Sequence, residues 1–125
     1  MTASQKILVA VAWPYANGSI HVGHVAGTYL PADIFARYHR LKGNDVLMVS
    51  GSDSHGTPVT LEAEKRGVTP GEVSGFYLNE FKDNWDRLGI TFDLFTSTTT
   101  ATHASVSKEL FLTLNENGYI YEKPM

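Results

Sequence analysis

Two short apolar runs rich in branched side chains, each leading into a loop of small residues and then into helical spacing, constrain this chain most. The first, KILVAVA at residues 6–12, and the second, DVLMVS at residues 45–50, have the continuous apolar character of strands buried on both faces of a parallel sheet. After the first run, Pro14, Asn17, Gly18 and Gly23 break any periodicity. Residues 25–41 then carry apolar side chains at helical spacing up to a stop at Gly43. Pro31 falls inside that stretch, so a kink or interruption is expected there.

After the second run, the loop 51–58 precedes a helix ending near Gly67. Thr69 then opens a TPGE segment whose Pro70 suits a first helical turn, and a long amphipathic helix runs to Gly89. Phe76, Tyr77, Phe81, Trp85 and Leu88 recur on one of its faces, and the stripe of Phe76, Phe81, Trp85 and Leu88 is assigned to core packing. Residues 90–95 read as a third strand, 96–102 as a polar turn, and 105–117 as a last helix stopped by Gly118. The alternation predicts an α/β fold: a Rossmann-like parallel sheet with right-handed crossovers, the first half of a doubly wound domain. Its ligand crevice is expected at the carboxyl ends of the strands.

The 125 residues, 42% hydrophobic and 18% charged, suffice for one packed domain or one part of a larger one. Ten Lys plus Arg against 13 Asp plus Glu leave a net charge of −3 with no run of one sign, so composition alone carries no nucleic-acid footprint. With no Cys, neither a disulfide nor a thiolate zinc site can form within this span, which agrees with a reducing compartment such as the cytoplasm. The apolar run at residues 7–13 is too short to cross a bilayer and no cleavage-site pattern follows it, so no membrane role is expected.

Chemistry concentrates in the first loop, PYANGSIHVGH at residues 14–24, which leaves a strand and enters a helix where doubly wound folds bind nucleotides. A helix start presents free N–H groups and partial positive charge to phosphate. Gly23 leaves the main chain open to a base or phosphate. His21 and His24, three residues apart, keep at least one ring N–H each to donate. By itself His-x-Gly-His is a weak pattern that a helix cap would also explain.

Strand, PYANGSIHVGH and helix together resemble the signature region of class I aminoacyl-tRNA synthetases, and PYANG resembles the methionyl-tRNA synthetase family in particular. The resemblance continues through RYHRLKGNDVLMVSGSDSHGTP at residues 37–58 and covers nearly the whole chain. It implies a ligase that activates methionine with ATP and Mg2+, then transfers the methionyl group to tRNA. His21 and His24 would be catalytic, and Asn17, Gly18, His21, Gly23 and His24 would bind ATP. Ala12, Trp13, Tyr15 and Asp53 would bind methionine, with the Asp53 carboxylate on the ammonium; taken alone, an Asp in a Ser/Gly loop is also explained as a turn or helix cap. A thioether packs well against aromatic edges, which suits Trp13 and Tyr15, although many members carry Leu where this chain has Trp13, and core aromatics covering the sheet's end would also explain both residues. His55 is read as a support for its loop.

The resemblance places residues 1–118 in the amino-terminal half of the catalytic domain and residues 119–125 at the start of the connective insertion. The family's lysine-containing second loop, its zinc knuckle and its anticodon-binding helices would then lie beyond this span, and tRNA would be held mostly by those parts. Two other readings stay open from sequence: a different nucleotidyl transferase with the same loop, and a catalytically silent nucleotide-binding module.

Overall fold

Branched residues at the expected positions do form strands, and register fixes how they meet. The computed structural model describes residues 4–124 of the chain; residues 1–3 and Met125, parts of the two terminal segments named above, lie outside them. Strands β1 (Lys6–Ala10), β2 (Asp45–Ser52) and β3 (Leu94–Ser97) make one parallel sheet in the order β1-β2-β3. Lys6 pairs with Asp45 through Ala10 with Val49, and Val49 pairs with Leu94 through Ser52 with Ser97. β3 therefore lies later than residues 90–95. Ile90 is drawn off the strand because its N–H closes the end of the preceding helix on the Trp85 carbonyl, and its side chain is buried in the core.

The helix after the first loop is continuous but not uniform. It runs as α1 (Val22–His24), a π-helical turn (Val25–Tyr29) and α2 (Leu30–Leu41). Pro31 explains the widened turn. Lacking an N–H, it cannot close an α-helical bond, so the chain takes up one extra residue just before it and Pro31 sits in the first turn of α2.

Helices α3 (Thr57–Arg66) and α4 (Pro70–Leu88) make the second crossover. Thr69 and Glu72 form a reciprocal capping box at the start of α4, and the Thr69 N–H and hydroxyl on the carboxylate hold Glu72 below the usual carboxylate range. Gly89, at φ +67°, ends α4, and its carbonyl accepts from Arg37. Buried Asp33 binds both Arg37 and the Thr91 N–H, so α2 holds the turn that leads into β3. A last helix, α5 (Ala101–Glu116), starts at the Thr100 cap, four residues before the expected position, and all its residues are exposed.

Two expectations about burial are corrected. The strands are not covered on both faces: Val46 and Met48 face the core, while Leu8, Leu47 and Leu94 are 65%, 50% and 55% exposed. Right-handed connections that advance in one direction put every crossover helix on the same side, which leaves the other side bare among the described residues. On α4 the buried stripe is Val73, Tyr77, Phe81 and Trp85, spaced by four, whereas Phe76 and Leu88 are exposed. Phe76 lies instead under the Arg66 guanidinium, 5.8 Å from its ring centroid.

Candidate active site

The first loop is built by continuing the sheet past the end of β1. Val11 donates to the Val49 carbonyl at 2.9 Å, and the Ser50 hydroxyl reaches the carbonyls of Val11 and Ala12 at 3.2 and 3.4 Å. Pairing then lapses at Trp13 and resumes. The Asp53 N–H donates to the Pro14 carbonyl and the Ala16 N–H to the Asp53 carbonyl, both at 2.8 Å. This one-residue parallel bridge, Tyr15 with Asp53, sets the two side chains next to one another on one face. Tyr29 pins the loop from below: its hydroxyl donates to the Ala12 carbonyl at 3.1 Å, and burial pushes its pKa up to about 12.

The two histidines cap the helix with each other. The His21 Nδ1 accepts the Gly23 N–H at 3.0 Å, and the His24 Nδ1 accepts the His21 N–H at 3.2 Å. Their ring centroids are 3.9 Å apart. A ring nitrogen that accepts carries no proton, so in this geometry each imidazole holds its proton on Nε2, away from the backbone it caps. Both residues are exposed. Capping through Nδ1 leaves an Nε2–H on each ring that is not used by the cap. A Cβ at Gly23 would lie 2.9 Å from the His21 ring. A side chain there would displace the His21 ring from its cap, so glycine suits the capped histidine before any ligand is considered.

Trp13 packs across the sheet. A Cβ at Gly51 would stand 2.8 Å from its Cη2 and 2.8 Å from the Thr96 carbonyl oxygen, so the indole uses the space that Gly51 leaves open. It lines an open crevice of about 440 Å³ with Leu94, Thr96, His103 and Val106, between the bare sheet face and the start of α5. Trp13 is 38% exposed and Tyr15 52%, so neither is a core aromatic. At Gly18 no atom stands within 4 Å of an added Cβ. Asn17 is half-buried in the same turn.

Below Asp53 runs a seam of hydroxyls. Ser52 meets Ser54 at 3.1 Å, Ser54 meets Ser97 at 2.9 Å, and Ser97 meets Thr99 at 2.9 Å. His55 bonds the Thr98 carbonyl through Nε2 at 3.2 Å and donates its N–H to the Asp53 carboxylate at 3.3 Å, which makes it a loop support. The structure thus brings together Tyr15 with Asp53, His21 with His24, and Ala12 with Tyr29 and Ser50. Trp13 stands apart over Gly51. Tyr29, Gly51 and the serines were not singled out from sequence, although Ser50, Ser52 and Ser54 alternate with period two and so mark one face of a strand.

The profile of the family described as tRNA synthetases class I (M) matches residues 7–125. A methionine–tRNA ligase of Dehalococcoides mccartyi is 59% identical over 119 residues, which is 95% of this chain and 22% of that protein. One of Roseiflexus sp. is 61% identical over 120 residues, 96% of this chain and 20% of that protein. The chain therefore spans about a fifth of the length of the curated relatives it matches. Among solved structures, Mycobacterium tuberculosis methionyl-tRNA synthetase in complex with methionyl-adenylate superposes with a TM-score of 0.84 at 34% identity, covering 91% of this chain and 22% of that one. LeuRS of Agrobacterium radiobacter K84, in a ternary complex with tRNA and LeuAMS, superposes at 0.88 with 30% identity, covering 96% and 15%.

Proposed function

We propose that this chain, which belongs to the class I tRNA synthetases (M), provides the methionine- and ATP-binding part of a methionine–tRNA ligase. The observation that carries the reading is the reciprocal histidine cap, which orients two Nε2–H donors at the start of a helix beside a loop stitched to Asp53. A methionine carboxylate oxygen attacks the α-phosphorus of ATP, its new O–P bond forms as the bond to the β-phosphate oxygen breaks, and pyrophosphate leaves. His21 and His24 donate to the phosphate oxygens on which charge grows, a task that needs placed donors more than covalent chemistry. Asn17, Gly18 and Gly23 line the nucleotide. Asp53 pairs with the methionine ammonium, and Ala12, Trp13 and Tyr15 wall its side chain. The terminal ribose hydroxyl of tRNA then attacks the methionyl carbonyl, loses its proton, and releases AMP.

Mg2+ accompanies the ATP phosphates as part of the substrate. Residues 1–118 act as the amino-terminal half of the catalytic domain and residues 119–125 open the connective insertion, with tRNA bound mainly by further polypeptide of the kind the longer relatives carry. The setting is the cytoplasm. The test is ATP–pyrophosphate exchange across all twenty amino acids by this sequence joined to the remaining four fifths of the Roseiflexus relative. Exchange dependent on methionine is expected. ATP binding without exchange for any amino acid would overturn the reading in favour of a silent nucleotide-binding module.

A further inference from the structure

Asp53 is poorly held by its own side chain. Among the described residues its carboxylate accepts one bond, from the His55 N–H at 3.3 Å, near the outer limit for such a contact. Its backbone, in contrast, is bonded on both sides to the first loop. Its neighbours Ser52 and Ser54 are 0% and 4% exposed, and alternation along an extended segment sends their side chains to the face opposite Asp53.

Those buried hydroxyls are unusual occupants of their position. The same strand face nearer the amino end holds Val46 and Met48, and apolar side chains would fill the space without the cost of desolvating hydroxyls. Hydroxyls contribute direction instead. Ser54 links to Ser97, 5% exposed on β3, and Ser97 to Thr99, while the Ser54 N–H donates to the Thr98 hydroxyl at 2.9 Å and the Thr98 N–H to the Ser52 carbonyl at 3.1 Å. The segment that carries Asp53 is thereby locked to the end of β3 on one side and to the first loop on the other.

We propose that Ser54 and Ser97 are positioning residues for Asp53, fixing where its carboxylate meets the substrate ammonium without touching substrate themselves. The inference rests on the reading of Asp53 given above, and its test separates the two. Ser54→Ala, Ser97→Ala and the double variant are made in this sequence joined to the remainder of the Roseiflexus relative. Equilibrium dissociation constants are measured for methionine, for ATP, and for 4-(methylthio)butanoate, which keeps the thioether and carboxylate but has no ammonium.

The expected result is a loss of roughly three- to tenfold in methionine affinity for each single variant, with the amine-free acid and ATP unchanged. The double variant loses less than the sum of the two single ones, because the bond between the two hydroxyls is already lost in either. Thr99→Val, at the exposed end of the seam, shifts methionine in the same direction by less and keeps the test available if an alanine variant does not fold. Methionine affinity within twofold of the parent throughout, or equal losses for all three ligands, would overturn the inference and leave the seam as packing. A parent that binds methionine no better than the amine-free acid would refute the role of Asp53 itself, and this inference with it.

Discussion

Gly51→Ala tests how the floor of the crevice is made. The added methyl group would lie 2.8 Å from the Thr96 carbonyl oxygen and 2.8 and 2.9 Å from Trp13 Cη2 and Cζ2. Ordinary carbon contacts begin near ~3.5 Å, so about 0.7 Å must be found on the indole side. Trp13 is 38% exposed and has room to swing. Thr96 has none, because it is the register partner of Gly51 in the β2–β3 ladder. The strain is therefore shared between the indole, which must be displaced from its seat, and the backbone, which cannot give, and overpacking of this kind costs roughly 1–3 kcal/mol, or a urea midpoint lower by on the order of 1 M. Urea unfolding at two protein concentrations gives the stability free of any association. Iodide quenching follows the indole, since Trp85 is 2% exposed and Trp13 is the accessible one of the two tryptophans. In Trp13→Leu the same methyl meets only the carbonyl, so Gly51→Ala should cost less there, with a coupling of about 0.5–1.5 kcal/mol. Stability within ~0.5 kcal/mol of the parent, together with unchanged quenching, would refute the account of Gly51 as the seat of Trp13.

His24→Ala should slow adenylate formation by roughly 10²–10³-fold while leaving methionine affinity near the parent value, and single-turnover pyrophosphate release within twofold of the parent would remove His24 from the chemistry. Asp53→Asn should weaken methionine far more than ATP in equilibrium binding; equal weakening would recast the residue as a loop cap. Tyr29, held up to about 12, favours the folded state fully below pH ~10 and loses that contribution as pH rises towards 12, so alkaline unfolding should be steeper in the parent than in Tyr29→Phe. By itself the 125-residue chain should fail to charge tRNA and should self-associate through the β1 edge and the face of Leu8, Leu47 and Leu94, seen as concentration-dependent sedimentation; charging within tenfold of the joined protein would end that expectation.

The order of elements was legible because each strand and helix announces itself locally. KILVAVA has no helical period, and Thr69, Pro70 and Glu72 mark a helix start that the capping box then realises. Burial was less legible. A continuous apolar run says that a strand can be covered on both faces, not that it is; which faces are covered depends on where the crossovers land. With strands advancing β1-β2-β3 the helices stay on one side, and the exposed Leu8, Leu47 and Leu94 follow from topology, which no single run encodes. On α4, Phe76 and Tyr77 are adjacent and both aromatic, so residue type alone does not choose between them; the spacing of four from Val73 to Trp85 favours Tyr77.

The site shows the same division between residue type and partner. Histidines at a helix start advertise donors or caps, and spacing cannot choose; the structure shows the cap, made through Nδ1, which leaves the Nε2–H of each ring outside it. Gly23 invited a ligand-approach argument because a bare backbone beside phosphate chemistry usually suggests one, yet the nearest obstacle to a side chain there is the His21 ring. That constraint links two residues within one turn, so it is local and is carried by the sequence itself. Gly51 was not. Its partner Trp13 is distant in sequence, and only the resumption of pairing at Tyr15 and Asp53 folds the first loop back over β2 so that the indole meets it. The serines stand between these cases: their alternation marks a face, but that the face is buried, and that Ser97 arrives from β3 to complete the seam, depends on a register that local sequence does not carry.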